Sequence, residues 1–164
     1  MSAELVPDYN ALARALGRNA PPGEGARGRQ RLVLANGCFD VLHVGHVRLL
    51  REARALGDVL VVALNTDTSV RRNKGAGRPK VPLAERMEVI GALAGVDYVT
   101  SFDEPTAHAL IDALRPDVHA KGTDWTAEAV PERAAVERWG GRVVICGDPK
   151  THSSTDLIAR LGGD

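Results

Sequence analysis

The chain has 164 residues, of which 44% are hydrophobic and 26% are charged. This length and composition predict a single folded domain with its own core and argue against global disorder. Lysine and arginine total 21, as do aspartate and glutamate, so the zero net charge argues against nucleic acid and membrane as partners.

The first thirty residues lie outside the predicted compact domain. Residues 8–17 predict a short helix ending at Gly17, and residues 18–30 are rich in Pro, Gly and Arg, as in a flexible connector. We place the compact domain at residues 31–164. The N-terminal segment lacks the basic-then-apolar layout of a signal peptide, and no apolar run reaches the ~20 residues of a membrane span. We therefore expect a cytoplasmic protein.

Strands and helices alternate from Arg31 onward. Short apolar runs predict strands, and amphipathic segments that end at glycine predict helices. The strands are expected at 31–36, 58–65, 96–101, 117–122 and 142–147. The helices are expected at 46–57, 82–95, 105–115, the second half of 126–141, and 153–163. This alternation predicts a doubly wound, Rossmann-like α/β fold whose five-stranded parallel sheet has the order 3-2-1-4-5.

Polar segments containing glycine follow four of these strands. Parallel sheets of this kind bind ligands at the carboxyl ends of their strands. The segments are NGCFDVLHVGH, NTDTSVRRNKGAGRPK, KGTDW and GDPKTHSSTD, after the first, second, fourth and fifth strands. Their shared position at one edge of the sheet predicts a single ligand site.

Two histidines flank a glycine after the first strand. His43 and His46 stand around Gly45 at a predicted helix start, where unpaired backbone N–H groups and the helix dipole favour a phosphate. The spacing differs from the zinc metalloprotease pattern, which needs histidines at i and i+4 with an acid between them. The two cysteines form no CxxC pair, which argues against a zinc ribbon. We predict a phosphate site with no protein metal cage.

The segment NGCFDVLHVGH resembles the HxGH signature of the nucleotidyltransferase superfamily, the cytidylyltransferase-like group, and the resemblance runs from about Leu32 to Leu161. Within the group, the longer segments NTDTSVRRNKGAGRP and LAERMEVIGALAGVDYV are similar to adenylyltransferases acting on D-glycero-β-D-manno-heptose 1-phosphate. This resemblance implies that AMP passes from ATP to the sugar phosphate by in-line attack on the α-phosphorus, giving ADP-heptose and pyrophosphate. It also implies Mg²⁺ bound mainly through nucleotide phosphates, and a homodimer.

The resemblance assigns roles to individual residues. His43 and His46 would hold the triphosphate and its developing charge, with Lys74 near the phosphates in a mobile loop that closes over them. These three are the expected catalytic residues. The expected nucleotide contacts are Cys38, Phe39, Gly45, Lys121, Gly122, Asp124, Ser153, Ser154 and Thr155. The expected substrate contacts are Asp40, Arg72 and Arg86.

Simpler interpretations stay open at several positions. Arg86 fits a surface ion pair, Asp40 a turn cap, and the Ser153–Thr155 run an ordinary helix cap. Trp125 fits packing at the sheet edge as well as a nucleotide contact. Whether Lys150 or His152 faces the phosphates is also open.

Two other functions compete with this assignment. One is a glycerol-3-phosphate cytidylyltransferase; such relatives tend to carry a substrate-binding lysine after the third strand, where this chain has Ser101-Phe102-Asp103-Glu104. The acids argue against it. The other is a non-catalytic nucleotide-binding module on the same fold, because fold alone does not settle function.

Overall fold

One parallel sheet organises residues 2–18, 29–149 and 153–162, the part of the chain that the computed structural model describes. Within those residues it has six strands: β1 (Glu4–Asp8), β2 (Leu32–Gly37), β3 (Val59–Asn65), β4 (Tyr98–Phe102), β5 (Val118–Gly122) and β6 (Arg142–Cys146). Their order is β1-β4-β3-β2-β5-β6. Strand β2 is central, pairing with β3 from Leu32↔Val59 to Gly37↔Leu64 and with β5 from Val33↔Val118.

Seven α-helices connect or flank these strands in the described ranges. They are α1 (Tyr9–Ala15), α2 (Val44–Arg54), α3 (Asp67–Lys74), α4 (Leu83–Gly91), α5 (His108–Leu114), α6 (Arg133–Arg138) and α7 (Ser154–Arg160). A 3-10 turn, Ala127–Ala129, precedes α6. No helix in the described ranges has the length and apolar character needed to cross a membrane.

The predicted count of five strands is wrong, because β1 adds a sixth at the edge of the sheet. The five expected strands do stand in the predicted order, and β1 pairs with β4 in parallel. It is short, contains Pro7 and is exposed at four of its five positions, so it carries no run of buried residues. Proline is tolerated at such an edge because one side of the strand needs no ladder hydrogen bond.

The N-terminal helix packs on the same sheet. Asp8 caps α1 by accepting a hydrogen bond from Asn10 N at 2.8 Å, and Leu12 and Ala13 on α1 are buried. The predicted helix at 8–17 therefore corresponds to α1. Residues 19–28 of the expected connector lie outside the described residues.

Helices cover both faces of the sheet, as a doubly wound fold requires. Alternate β2 residues face opposite sides: Val33 and Ala35 pack with one core cluster, and Leu32 and Leu34 with the other. The first cluster contains side chains of α2 and α4, including Leu50, Ala53, Met87 and Ile90. The second contains side chains of α1, α5 and α6, including Leu12, Leu110, Ile111 and Val136.

A helix extends to Lys74 after the second predicted strand, where the sequence predicts a short helix capped by Asp67 followed by a mobile loop around Lys74. Residues Asp67–Lys74 form α3, which Thr66 caps by accepting a hydrogen bond from Ser69 N at 3.1 Å. The loop interpretation rested on the basic residues and glycines of this segment. The glycines follow the helix, and Gly75 stands at its C-cap with φ +96°.

Candidate active site

A cleft with two adjoining lobes opens at the carboxyl ends of β2, β3, β5 and β6. The first lobe has a volume of about 230 Å³ and lies between the start of α2, the end of β6 and the start of α7. The second has a volume of about 390 Å³ and lies over the end of β2, reaching the segments after β4 and β5. His46, Leu49, Lys74, Gly122, Asp124 and Ser154 line both lobes.

The backbone at the start of α2 orients His43 and His46. His43 is the N-cap residue, and its Nδ1 accepts a hydrogen bond from Gly45 N at 3.2 Å. The Nδ1 of His46 accepts one from His43 N at 3.3 Å, which completes a capping box. The ring centroids are 3.9 Å apart. Because Nδ1 accepts in each ring, a neutral imidazole carries its proton on Nε2, where it can donate to a ligand.

His46 is neutral near pH 7 in this environment. Burial, with a smaller effect of the neighbouring His43, lowers the pKa of His46 to about 4. The ring also contacts Phe39, with centroids 5.1 Å apart. It therefore offers a phosphate oxygen a neutral hydrogen-bond donor.

The turn after β2 holds Cys38 and Phe39. Phe39 is buried and has a φ of +47°, an uncommon conformation for a residue with a side chain. Its ring lies against Gly37, where an added Cβ would stand 3.3 Å from it. Burial raises the pKa of the Cys38 thiol, whose Sγ lies 3.7 Å from Asn65 Oδ1. The protonated thiol fits a residue beside the ligand rather than a nucleophile.

Asp40 holds the segment before α4 against the cleft. It is buried, accepts hydrogen bonds from Lys80 N at 2.7 Å and Val81 N at 2.9 Å, and forms an ion pair with Arg78. Burial raises the pKa of Asp40, but the hydrogen bonds from Val81, Arg78 and Lys80 outweigh it and keep the pKa below its ordinary value. Asp40 and Arg78 both line the second lobe. The sequence leaves Arg78 open between a solvated residue of a basic loop and a functional residue near Lys74, because nothing in the sequence shows which acid it meets.

Arg86 is buried on α4, where the prediction had a substrate contact or a surface ion pair. Its Nε donates to Val81 O at 2.9 Å, and its Nη1 donates to Cys38 O at 2.6 Å and Asn65 O at 2.9 Å. Its Nη2 forms an ion pair with Asp67 at 2.6 Å. Only 1% of the residue is exposed, so the structure excludes the surface interpretation. The guanidinium joins the segments that surround the cleft and lines neither lobe.

Lys74 and Arg72 are both exposed on α3 but differ in position. Lys74 is the last residue of the helix and lines both lobes. Arg72 forms an ion pair with Asp103 at 3.2 Å and lines neither lobe. The structure therefore brings Lys74, but not Arg72, into the cleft with the histidines.

The segment after β5 crosses the boundary between the lobes. Gly122 and Asp124 line both, and a Cβ added at Gly122 would stand 2.9 Å from Asp124 Oδ1. Lys121 lines the second lobe, with Nζ 3.9 Å from Glu132 Oε2 and 5.5 Å from the centre of the Trp125 ring. Trp125 is 38% exposed and lines the second lobe, so it faces the cleft rather than the core.

The start of α7 brings three hydroxyls to the first lobe. Ser153 caps the helix by accepting a hydrogen bond from Asp156 N at 3.0 Å, and Ser154 Oγ donates to Val41 O at 2.9 Å. Thr155 lines the same lobe and is exposed. The cap interpretation thus accounts for Ser153 alone. Lys150 and His152 lie outside the described residues.

Comparison with known proteins identifies the family. Residues 34–160 match the sequence profile of the family described as Cytidylyltransferase-like. The chain belongs to this family. The resemblance drawn from the HxGH segment is therefore confirmed.

Individual relatives share about half of their matched residues with this cytidylyltransferase-like chain. It is 53% identical over 129 residues to "Bifunctional protein HldE" of Streptomyces coelicolor, covering 79% of this chain and 28% of that protein. It is 48% identical over 160 residues to "Bifunctional protein HldE" of Acidiphilium cryptum, covering 96% and 33%. The chain spans about a quarter to a third of the length of these curated relatives.

A solved structure shares the fold. The crystal structure of the lipopolysaccharide core biosynthesis protein from Thermoplasma volcanium is 28% identical and superposes with a TM-score of 0.64. The match covers 74% of this chain and 99% of that one.

Several residues of this cytidylyltransferase-like cleft were missed by sequence reasoning. Asn36 and Glu132 line the second lobe, and Arg48 and Asp148 form an ion pair at the first. Asn36 ends the first predicted strand and opens the segment NGCFDVLHVGH, and this position is the one signal that could have found it. Glu132 lies ten residues beyond the fourth strand, in a segment read only as the approach to a helix.

The acids of the cleft suit a metal ion that arrives with its nucleotide. Across the described part of the chain no group of three His, Cys, Asp or Glu residues stands close enough to hold a metal ion. Asp40 and Asp148 are paired with arginines, and Asp124 is the carboxylate common to both lobes. This donor set fits Mg²⁺ held mainly by phosphate oxygens and water, which is how Mg²⁺ usually binds in nucleotide sites.

Proposed function

We propose that this chain transfers AMP from ATP to D-glycero-β-D-manno-heptose 1-phosphate and releases pyrophosphate. Membership of the Cytidylyltransferase-like family supports nucleotidyl transfer. The acceptor is supported by the longer sequence similarity to heptose-phosphate adenylyltransferases and by the solved relative, which is described as a lipopolysaccharide core biosynthesis protein. The observation that carries the proposal is the His43–His46 pair, whose Nδ1 atoms both accept backbone N–H groups at the start of α2.

The first lobe suits a nucleoside triphosphate. The two imidazoles can donate from Nε2 to phosphate oxygens, and the positive end of α2 adds to the attraction. Lys74 supplies a cation at the boundary with the second lobe, and Ser154 and Thr155 add hydroxyls from α7. The nucleotide therefore occupies the first lobe, with its α-phosphorus near the boundary.

The second lobe then holds the acceptor sugar phosphate. Its phosphate oxygen attacks the α-phosphorus, forming the new P–O bond as the bond to pyrophosphate breaks. The nucleophile is already an anion near neutral pH, so no strong general base is needed. The residues accelerate the step by positioning both phosphates in line and by donating to the charge that develops. Bound Mg²⁺ would neutralise charge on the phosphate oxygens.

Pyrophosphate release by the purified protein tests this proposal. ATP and CTP are each combined with heptose 1-phosphate and with glycerol 3-phosphate in the presence of Mg²⁺. We expect release with ATP and the heptose phosphate. The variants His43→Ala and His46→Ala should each lower kcat about 10²- to 10³-fold, as for loss of a donor to transition-state charge. His108→Ala, at an exposed residue outside both lobes, is the matched control.

The other pairings distinguish the alternatives. Pyrophosphate release with CTP and glycerol 3-phosphate would support nucleotidyl transfer but would replace ATP and the heptose phosphate as the substrates. Nucleotide binding without release in any pairing would favour a non-catalytic module. The expected homodimer is a separate prediction, which light scattering of the same preparation tests.

A further inference from the structure

Glu132 places a buried carboxylate at the second lobe. The residue is 7% exposed, and it lines this lobe but not the first. Its Oε2 accepts no hydrogen bond from the described residues. Among the described residues, the cation paired with it is Lys121, whose Nζ is 3.9 Å away, beyond hydrogen-bond distance. Glu132 is also the N-cap residue of α6, yet its side chain makes no capping hydrogen bond.

Such a carboxylate calls for donors from a ligand. An ionised carboxylate accepts hydrogen bonds only, and burial without donors is costly. A carboxylate that served α6 would accept the N–H groups of its first turn. Glu132 instead lines the second lobe, where the hydroxyl groups of a bound molecule can supply the donors that the described residues do not.

Asn36 supplies the complementary group in the same lobe. Its Oδ1 lies 2.8 Å from Nε2 of His119, a residue with no exposed surface. Burial, with a smaller effect of Lys121, lowers the pKa of His119 to about 3, so the ring is neutral and donates to Asn36. The Asn36 amide nitrogen is then the donor that this side chain can offer the lobe.

The remaining walls of the second lobe are partly aromatic. Trp125 is 38% exposed beside Lys121. Phe102, at the end of β4, and Pro105, just after it, also line the lobe. An acceptor, a donor and apolar rings together match the alternating hydroxyls and C–H faces of a sugar ring. A glycerol phosphate has fewer hydroxyls with which to pair Glu132 and Asn36.

We propose that Glu132 accepts hydrogen bonds from hydroxyl groups of the acceptor sugar, and so selects a polyhydroxylated sugar phosphate over a shorter polyol phosphate. This inference rests on the proposed function. The ribose of the nucleotide carries the same diol chemistry. We assign Glu132 to the acceptor because Glu132, Asn36 and Trp125 line the second lobe alone.

Steady-state kinetics of Glu132→Gln test the assignment. We expect the KM for heptose 1-phosphate to rise about tenfold, because a charged acceptor is lost, while the KM for ATP is unchanged. Monodeoxy analogues of the heptose phosphate complete the test: at least one should bind poorly to the unmodified protein and lose that penalty in Glu132→Gln. Glu128→Gln, an exposed acid on the preceding 3-10 turn, is the matched control. Thermal unfolding checks that each variant folds.

Calorimetric titration of the unmodified protein with heptose 1-phosphate separates the two proposals. Turnover with an unchanged acceptor KM in Glu132→Gln would overturn the role of Glu132 and leave the proposed function standing. A raised KM for ATP that 2′-deoxy-ATP does not show would assign Glu132 to the nucleotide ribose instead. Binding of the sugar phosphate without turnover would overturn the proposed function alone. The dissociation constants of heptose 1-phosphate for the unmodified protein and for Glu132→Gln would then decide the role of Glu132. Neither binding nor turnover would overturn both.

Discussion

His43 and His46 each use Nδ1 to accept a backbone N–H, so the fold itself selects the tautomer of each ring. A neutral histidine without such a partner populates both tautomers, so its Nε2 carries the proton only part of the time. Here the capping box presets both rings before a ligand arrives. Preorganised donors of this kind cost no reorganisation when charge develops on a phosphate.

The protonation state and tautomer of His46 can be measured directly. In the ligand-free protein we expect a titration midpoint of about 4, with the proton of the neutral ring on Nε2, because burial and His43 disfavour the charged form. Long-range ¹H–¹⁵N NMR of histidine-labelled protein measures both. His46→Gln assigns the signal, and the protein unfolded in urea gives the reference midpoint of about 6.5. A folded midpoint near that reference, or a proton on Nδ1, would contradict the capping-box geometry.

The sequence contains enough to predict these histidines but not their surroundings. A glycine between two histidines after an apolar run is a local pattern, and Gly45 and both rings stand where that pattern predicts. The partners of Arg86 come from positions 38, 65, 67 and 81, which only the fold brings together. A single sequence shows the arginine and not the four acceptors.

The Arg86 side chain links four segments of the chain. They are the turn after β2, the end of β3, the start of α3 and the segment before α4. Three of its partners are backbone carbonyls, and the fourth is the carboxylate of Asp67. These segments carry Cys38, Asn65 and Lys74 to the cleft. The arginine thus fixes the positions of cleft residues without lining either lobe.

Replacement of Arg86 tests this joining role. We expect Arg86→Met to lower the free energy of unfolding by about 3–5 kcal/mol, because buried carbonyls and the Asp67 carboxylate lose their donor. Urea unfolding followed by circular dichroism measures the change. Arg71→Met, at an exposed arginine on α3, should stay within about 0.5 kcal/mol of the unmodified protein. Equal midpoints for the two variants would show that Arg86 does not join these segments.

Element prediction from sequence worked best where burial is deepest. Every residue of β3 is buried, and its apolar run predicts a strand without ambiguity. Strand β1 is mostly exposed, so its place depends on pairing with β4 rather than on a local pattern. Helix α3 was predicted only in part: Asp67 indicates the cap of a short helix, but the basic residues that follow resemble a solvated loop. In the structure Thr66 is the cap, and the buried Ser69 and Val70 distinguish the helix from a loop.

At the scale of the whole molecule, the half-buried His46 and the buried His119 couple folding to pH. His46 lies at the cleft and His119 lies within β5, and burial lowers their pKa values to about 4 and about 3. The unfolded chain binds a proton on each at about pH 6.5, whereas the folded protein does not. Stability is therefore lost as the pH falls below about 6.5. The lowered pKa values of Asp40 and Asp117 add their own losses only at lower pH, below the ordinary aspartate range.

Unfolding free energies at neutral pH and at about pH 5 test this coupling. His46 and His119 should each lower the free energy of unfolding by about 2 kcal/mol when the pH falls from 7 to about 5, because only the unfolded chain takes up the proton. His119→Gln and His46→Gln should each abolish about half of the combined loss, whatever they do to stability at neutral pH, since glutamine does not titrate. His108→Gln, at an exposed position, should leave the loss unchanged. If His119→Gln loses as much stability on acidification as the unmodified protein, folding does not lower the pKa of His119, and the ring beside Asn36 takes up a proton at about pH 5.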